Sequence, residues 1–203
     1  LNYGLGILIK EFQREVLLEV FHLGTVVCTF DPLTAVNAYR NIRHFRMEVL
    51  EYRVAPYGEY GGRLNRQDVP SDRFFMSWDL KKRPKPLVPD NQVLDYIKRL
   101  PQAIVISYEN FQSQNNQVVL EKAVAVELGL GSELILVQIP ADYYLMLNFT
   151  AGKEPEVRQI PIDWRYKTRE VFLNYLRKGY RVADFLRSGT EPLKCYYLLQ
   201  RSK

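Results

Sequence analysis

Two glycines one residue apart give the chain its first chemical possibility. In Asn2-Tyr3-Gly4-Leu5-Gly6-Ile7, the missing side chains let the backbone bend tightly and bring its N–H groups up to a ligand. A helix starting there adds unpaired donors and a positive partial charge. Together these make a cradle for a diphosphate. The competing reading is a glycine-containing turn that simply begins a helix. Asp31 is a second candidate, at the end of an apolar run and followed by Pro32. A carboxylate there can take a proton from an amine, or it can begin a turn. The two histidines, His22 and His44, are too few and too scattered for a metal site, and no metal is expected. His44 adjoins Arg43 and Arg46 in a basic stretch that suits either solvent or a phosphate. Cys28 lies within an apolar run and reads as core rather than nucleophile.

These residues need elements to hold them. Leu8, Phe12, Val16 and Val20 recur every four residues, so 7–22 is expected to be an amphipathic helix with that stripe inward and Gly24 closing it. Residues 25–30 are apolar and β-branched, which predicts a buried strand stopped by Asp31-Pro32. A helix is expected over 34–45, a strand over 50–54 and a glycine-containing loop over 57–70. Phe74, Met76, Trp78 and Leu80 alternate with polar or outward positions, which predicts another strand. Asp72-Arg73 is expected to be an ion pair ordering the loop before it. The basic, proline-rich stretch 81–90 reads as a linker. Beyond it, a short helix near 91–100, strands over 102–111, 117–126 and 133–139, a helix over 163–178 and a hairpin over 181–200 are expected. Residues 25–80 and 133–200 run in a similar order of strand, helix, strand and strand, as a degenerate internal repeat would. The alternative is that such units are common. The mixture predicts an α+β fold with mostly antiparallel strands.

Composition sets the outer limits. The chain has 203 residues, of which 47% are hydrophobic and 25% charged, which is globular usage and rules out disorder of the whole chain. No apolar run of about 18 residues exists, so no membrane-spanning helix is expected. Two cysteines, Cys28 and Cys195, suggest no disulfide framework, and a reducing, cytoplasmic setting is the expectation. The net charge of +5 is spread along the chain. It suits an anionic ligand without indicating nucleic acid, and no nucleic-acid-binding pattern accompanies it.

Gly4-Leu5-Gly6, followed by a helix, an apolar strand and a second helix, resembles the acetyl-CoA-binding half of the GNAT N-acetyltransferase superfamily. That superfamily's pattern is a Gln or Arg, two residues, Gly, one residue, then Gly or Ala. A closer resemblance is to a poorly characterised GNAT-related acetyltransferase family. It rests on Thr29-Phe30-Asp31-Pro32-Leu33, Asn37-Ala38-Tyr39, Asn41, Tyr57-Gly58, Leu64-Asn65, Pro70-Ser71-Asp72-Arg73 and Trp78. It continues in Ile139-Pro140-Ala141-Asp142, Trp164-Arg165, Thr168-Arg169-Glu170 and Gly179-Tyr180.

The resemblance implies a GNAT-like sheet flanked by helices. Residues 1–80 would form the C-terminal half of an acyl-CoA-binding domain, and 91–203 an α+β extension that repeats this half in degenerate form. It also implies acetyl-CoA as co-substrate and direct acyl transfer to an amine of unknown identity. The alternative is an acyl-CoA-binding or scaffold module that has lost its acid. The cofactor would be held by Asn2, Tyr3, Gly4, Leu5, Gly6, Ile7, Asn37 and Asn41, with Asn37 near the pantetheine arm. Tyr39 would be the acid that protonates the departing thiolate, and Asp31 the base. Two departures stand out. Leu1 occupies the pattern's Gln or Arg position, and the strands such a domain carries before this loop are expected upstream of Leu1, in a partner chain such as a second copy, or in the second half. The second half is expected to pack against the first and cover its open sheet edge.

Overall fold

A computed structural model describes residues 3–58, 66–86, 99–112, 117–188 and 193–202. Helix α1 (Tyr3–Glu19) leads into strand β1 (Thr25–Phe30). A short helix α2 (Ala35–Ala38) widens into a π-helical turn at Tyr39–His44. Strands β2 (Glu48–Arg53), β3 (Arg73–Asp79), β4 (Ile104–Gln112), β5 (Gln117–Val126) and β6 (Leu134–Ile139) follow. Helices α3 (Tyr143–Thr150) and α4 (Pro155–Arg177) and strands β7 (Tyr180–Arg187) and β8 (Cys195–Arg201) complete the described chain. The fold is α+β, with antiparallel pairing within every sheet.

The expected alternation is clearest in β3. Phe74, Met76, Trp78 and Leu80 are at most 1% exposed. In β2 the alternation slips, because a bulge between Val49 and Glu51 puts Leu50 outside and Val49 inside. A bulge adds one residue and flips the side chains after it.

Two three-stranded sheets have the same order, β1-β3-β2 and β6-β8-β7. In each, the third strand enters between the first two. In each, the second strand carries a bulge, at Val49/Glu51 and at Val182/Asp184. The similar order of elements read from sequence is thus a similar strand topology.

One core joins the two halves. The Phe74 ring lies 5.8 Å from Phe30, 5.6 Å from Tyr52, 4.8 Å from Phe172 and 5.5 Å from Tyr197, centroid to centroid. Aromatic contacts of this geometry add to the hydrophobic gain. The start of the 81–90 stretch is also docked. The Lys85 N–H donates to the His44 carbonyl, and the Lys85 carbonyl sits 2.7 Å from His44 Nδ1. The rest of that stretch, and most of the helix expected near 91–100, lie outside the described residues.

The second half packs on the side of α2 and β2, with Arg43 of the π-helical turn in an ion pair with Asp184 of β7. It does not pair with β1. Among the described residues β1 pairs only with β3, so no strand of the second half adds to that edge.

Helix α1 departs most from its expected orientation. Leu8, Phe12 and Val20 are 62%, 68% and 66% exposed, and Leu5, Ile9 and Phe21 are exposed beside them. The helix instead turns Ile7, Leu17 and Leu18 toward the core. Arg14 Nε donates to the Leu80 carbonyl, and Lys10 lies over the Trp78 ring at 4.8 Å. Those polar anchors fix the helix's rotation against its apolar stripe. Its end is set by His22 at φ 54, two residues before Gly24.

Candidate functional site

The first turn of α1 contains Gly4 and Gly6 themselves, so these glycines are helical rather than in a turn preceding the helix. The amides of Tyr3, Gly4 and Leu5 therefore have no intrahelical acceptor, as at any helix start. Asn2 lies outside the described residues. Leu5 is exposed and Ile7 is packed against the core.

What lies over this turn was not expected. A Cβ built on Gly6 would stand 2.6 Å from Arg40 Nη1, whereas one on Gly4 would meet nothing within 4 Å. Gly6 is thus the position that lets a guanidinium from the π-helical turn approach the helix. Asn37 and Asn41 orient that guanidinium. Arg40 Nη2 donates to Asn37 Oδ1 at 2.7 Å, and Arg40 Nε to Asn41 Oδ1 at 3.5 Å. Asn37 in turn donates to Thr34 Oγ1 at 3.1 Å.

A second cation stands nearby, one helical turn along α1 from Gly6. Burial lowers the pKa of Lys10; the Cys28 thiol opposes that shift and Arg40 adds to it. Burial likewise lowers the pKa of Arg40 and raises that of the Cys28 thiol. Two partly desolvated cations beside a helix start make a place where an anion recovers electrostatic energy that water no longer supplies. Lys10 and Arg40 were not legible as site residues. Their one sequence signal is spacing: Lys10 lies four residues after Gly6, and Arg40 between Asn37 and Asn41.

Tyr39 is half-buried, with the Arg187 guanidinium 4.9 Å from its ring centroid. Asp31 is placed differently from a free base. Its Oδ1 accepts the Leu33 amide at 2.9 Å, and its Oδ2 is in ion pairs with Arg165 and Arg73. Arg165 is fully buried on α4, where burial disfavours its charge and Asp31, Tyr143 and Tyr52 hold its pKa well above the usual value.

Asp72 and Arg73 do not form the expected side-chain pair. Asp72 accepts two bonds from Arg169 at 2.8 Å and one from the Tyr52 hydroxyl at 2.7 Å. Arg73 turns to Asp31 and to the Asp72 carbonyl. The acid residues of the first half thus clasp arginines of the second, one turn apart on α4. Among the described residues no group of three His, Cys, Asp or Glu side chains converges as a metal set, and no helix is long and apolar enough to cross a membrane.

No family model matches the chain. No curated protein matches it, and no solved structure matches it.

Proposed function

We propose that the chain binds an acyl-CoA and passes the acyl group to an amine. The observation that carries this reading is Arg40 seated over Gly6 on α1, near enough to Lys10 to lower its pKa. A diphosphate accepts charge-assisted bonds from both cations and from the open amides of the helix start. Asn37 and Asn41 hold Arg40 in place, and in this reading Asn37 sits beside the pantetheine arm.

In the transfer, the neutral amine attacks the thioester carbonyl. Main-chain N–H groups at the end of β1 would stabilise the oxyanion, the C–S bond breaks, and the Tyr39 hydroxyl protonates the thiolate. The amine's proton leaves to solvent. Asp31 acts in this reading as a tether to α4, since both its oxygens are engaged. That engagement also favours the second reading, a non-catalytic acyl-CoA-binding module. Calorimetric titration with acetyl-CoA tests the binding step. Release of free thiol from acetyl-CoA in the presence of a panel of amines separates the two readings.

A further inference from the structure

A second site lies away from α1. The segment leading into β4 runs parallel to β6 for a single bridge, Gln102 to Leu136. Beyond that bridge, the wedge between the β4–β5 hairpin and the exit of β6 holds an open cavity of about 380 Å³. Tyr108, Leu120, Glu121, Pro140, Leu145 and Met146 are among its walls. A cavity of a few hundred Å³ with apolar walls and few polar groups is the usual form of a small-molecule site.

Its charge is opposite to that of the chain. The chain carries a net +5, yet among the described residues the charged ones lining this cavity are two acids, Glu121 and Asp142. Asp142 caps α3, accepting the Leu145 amide through Oδ1 at 2.9 Å. Glu121 is the more unusual. Its Oε1 accepts from Gln138 Nε2 at 3.0 Å, and among the described residues its Oε2 accepts no hydrogen bond. Its backbone is pinned, since Trp164 Nε1 on α4 donates to the Glu121 carbonyl at 2.7 Å.

We propose that this cavity binds a primary ammonium group carrying an apolar or aromatic body, with the ammonium on Glu121 and the body against Leu120, Leu145 and Met146. A carboxylate with one open oxygen at an apolar wall is poorly solvated, and a cation replaces the missing water. The inference stands apart from the acyl-CoA reading, because its residues lie on β4, β5, α3 and the exit of β6.

Other groups facing Glu121 set its proton affinity. Burial raises its pKa to about 7, while Lys194 and the Gln138 amide pull it down. Lys194 is itself placed 5.6 Å from the Tyr108 ring centroid. The Cys195 thiol and Tyr196 phenol, both raised to about 12, remain neutral neighbours. Asp142 is the other acid.

Isothermal titration with 2-phenylethylamine tests the proposal, with 3-phenylpropanoate as the control of like shape and opposite charge. Saturable binding at one site is expected for the amine alone. Affinity should fall about tenfold between pH 8 and pH 6 as Glu121 takes up its proton. Glu121→Gln should weaken binding at least about tenfold at pH 8. Val119→Trp, at an exposed position on the cavity wall, should abolish binding without altering the core. Absence of saturable amine binding, equal binding of the carboxylate, or full affinity in either variant overturns the proposal.

Discussion

Arg40 occupies the space that a side chain at position 6 would need: Nη1 stands 2.6 Å from a Cβ built on Gly6. The two glycines of Gly4-Leu5-Gly6 therefore differ in surroundings although they are alike in sequence. Gly6→Val should displace Arg40 and weaken CoA binding at least about tenfold. Gly4→Ala meets open space in a helix, so it should leave affinity unchanged and stabilise the fold by up to about 1 kcal/mol. Titration with CoA and thermal denaturation of both variants check this. Equal loss of affinity in both would deny Gly6 its special role.

The clasp between the halves gives a stability prediction. Asp72 is fully buried and holds Arg169 through two bonds. Arg169 is only partly buried, but removing Asp72 also leaves the buried Tyr52 hydroxyl without its acceptor, so Asp72→Ala should cost about 2 kcal/mol. Arg169→Leu combined with Asp72→Ala should cost less than the sum of the single changes. Urea denaturation measures both. Unfolding should remain a single transition, because the Phe74, Phe172 and Tyr197 rings form one core across the halves.

Much of the scaffold was legible from local pattern, and the site was legible only in part. Strict alternation at Phe74, Met76, Trp78 and Leu80 sufficed for β3, since a strand buried on one face has no other way to arrange them. The α3 helix was missed; Asp142 as an N-cap was its signal. Helix α4 was read to begin at Asp163, yet the helix starts at Pro155 and continues through Pro161. The inward face of α1 was misread for a tertiary reason. Arg14 bonding the Leu80 carbonyl and Lys10 stacking on Trp78 are long-range contacts, and periodicity carries no information about them. Asp31 was equally opaque. An Asp-Pro pair looks the same in sequence whether its carboxylate is free or tied to Arg165 more than a hundred residues away.

The buried acid at the second site predicts a pH dependence of stability. Glu121 has a folded pKa of about 7 against an ordinary value of 4.5. Between these values the folded state binds the extra proton, so stability falls as pH rises through this window and levels off above it. The total change should be about 3 kcal/mol. Glu121→Gln should remove that part of the slope in denaturation curves taken from about pH 5 to pH 8. A slope identical in the variant would reject the assignment.

The outward face of α1 predicts a sticky surface. Leu5, Leu8, Ile9 and Phe12 together expose more apolar area than scattered surface residues do. Leu8→Lys with Phe12→Lys should leave thermal stability within about 0.5 kcal/mol and reduce self-association in light scattering. Unchanged scattering would show that this face carries no association.

In the proposed function, Lys10 and Arg40 grip a phosphorylated acyl carrier over Gly6. Calorimetric titration of the intact chain with CoA, alongside Lys10→Met and Arg40→Met, tests it most directly. Saturable one-site binding is expected, weakened about tenfold or more by each substitution. Affinity should also decline as pH rises through the lowered pKa of Lys10. Absence of binding in the unaltered chain, or equal affinity in all three proteins, would overturn the acyl-CoA reading.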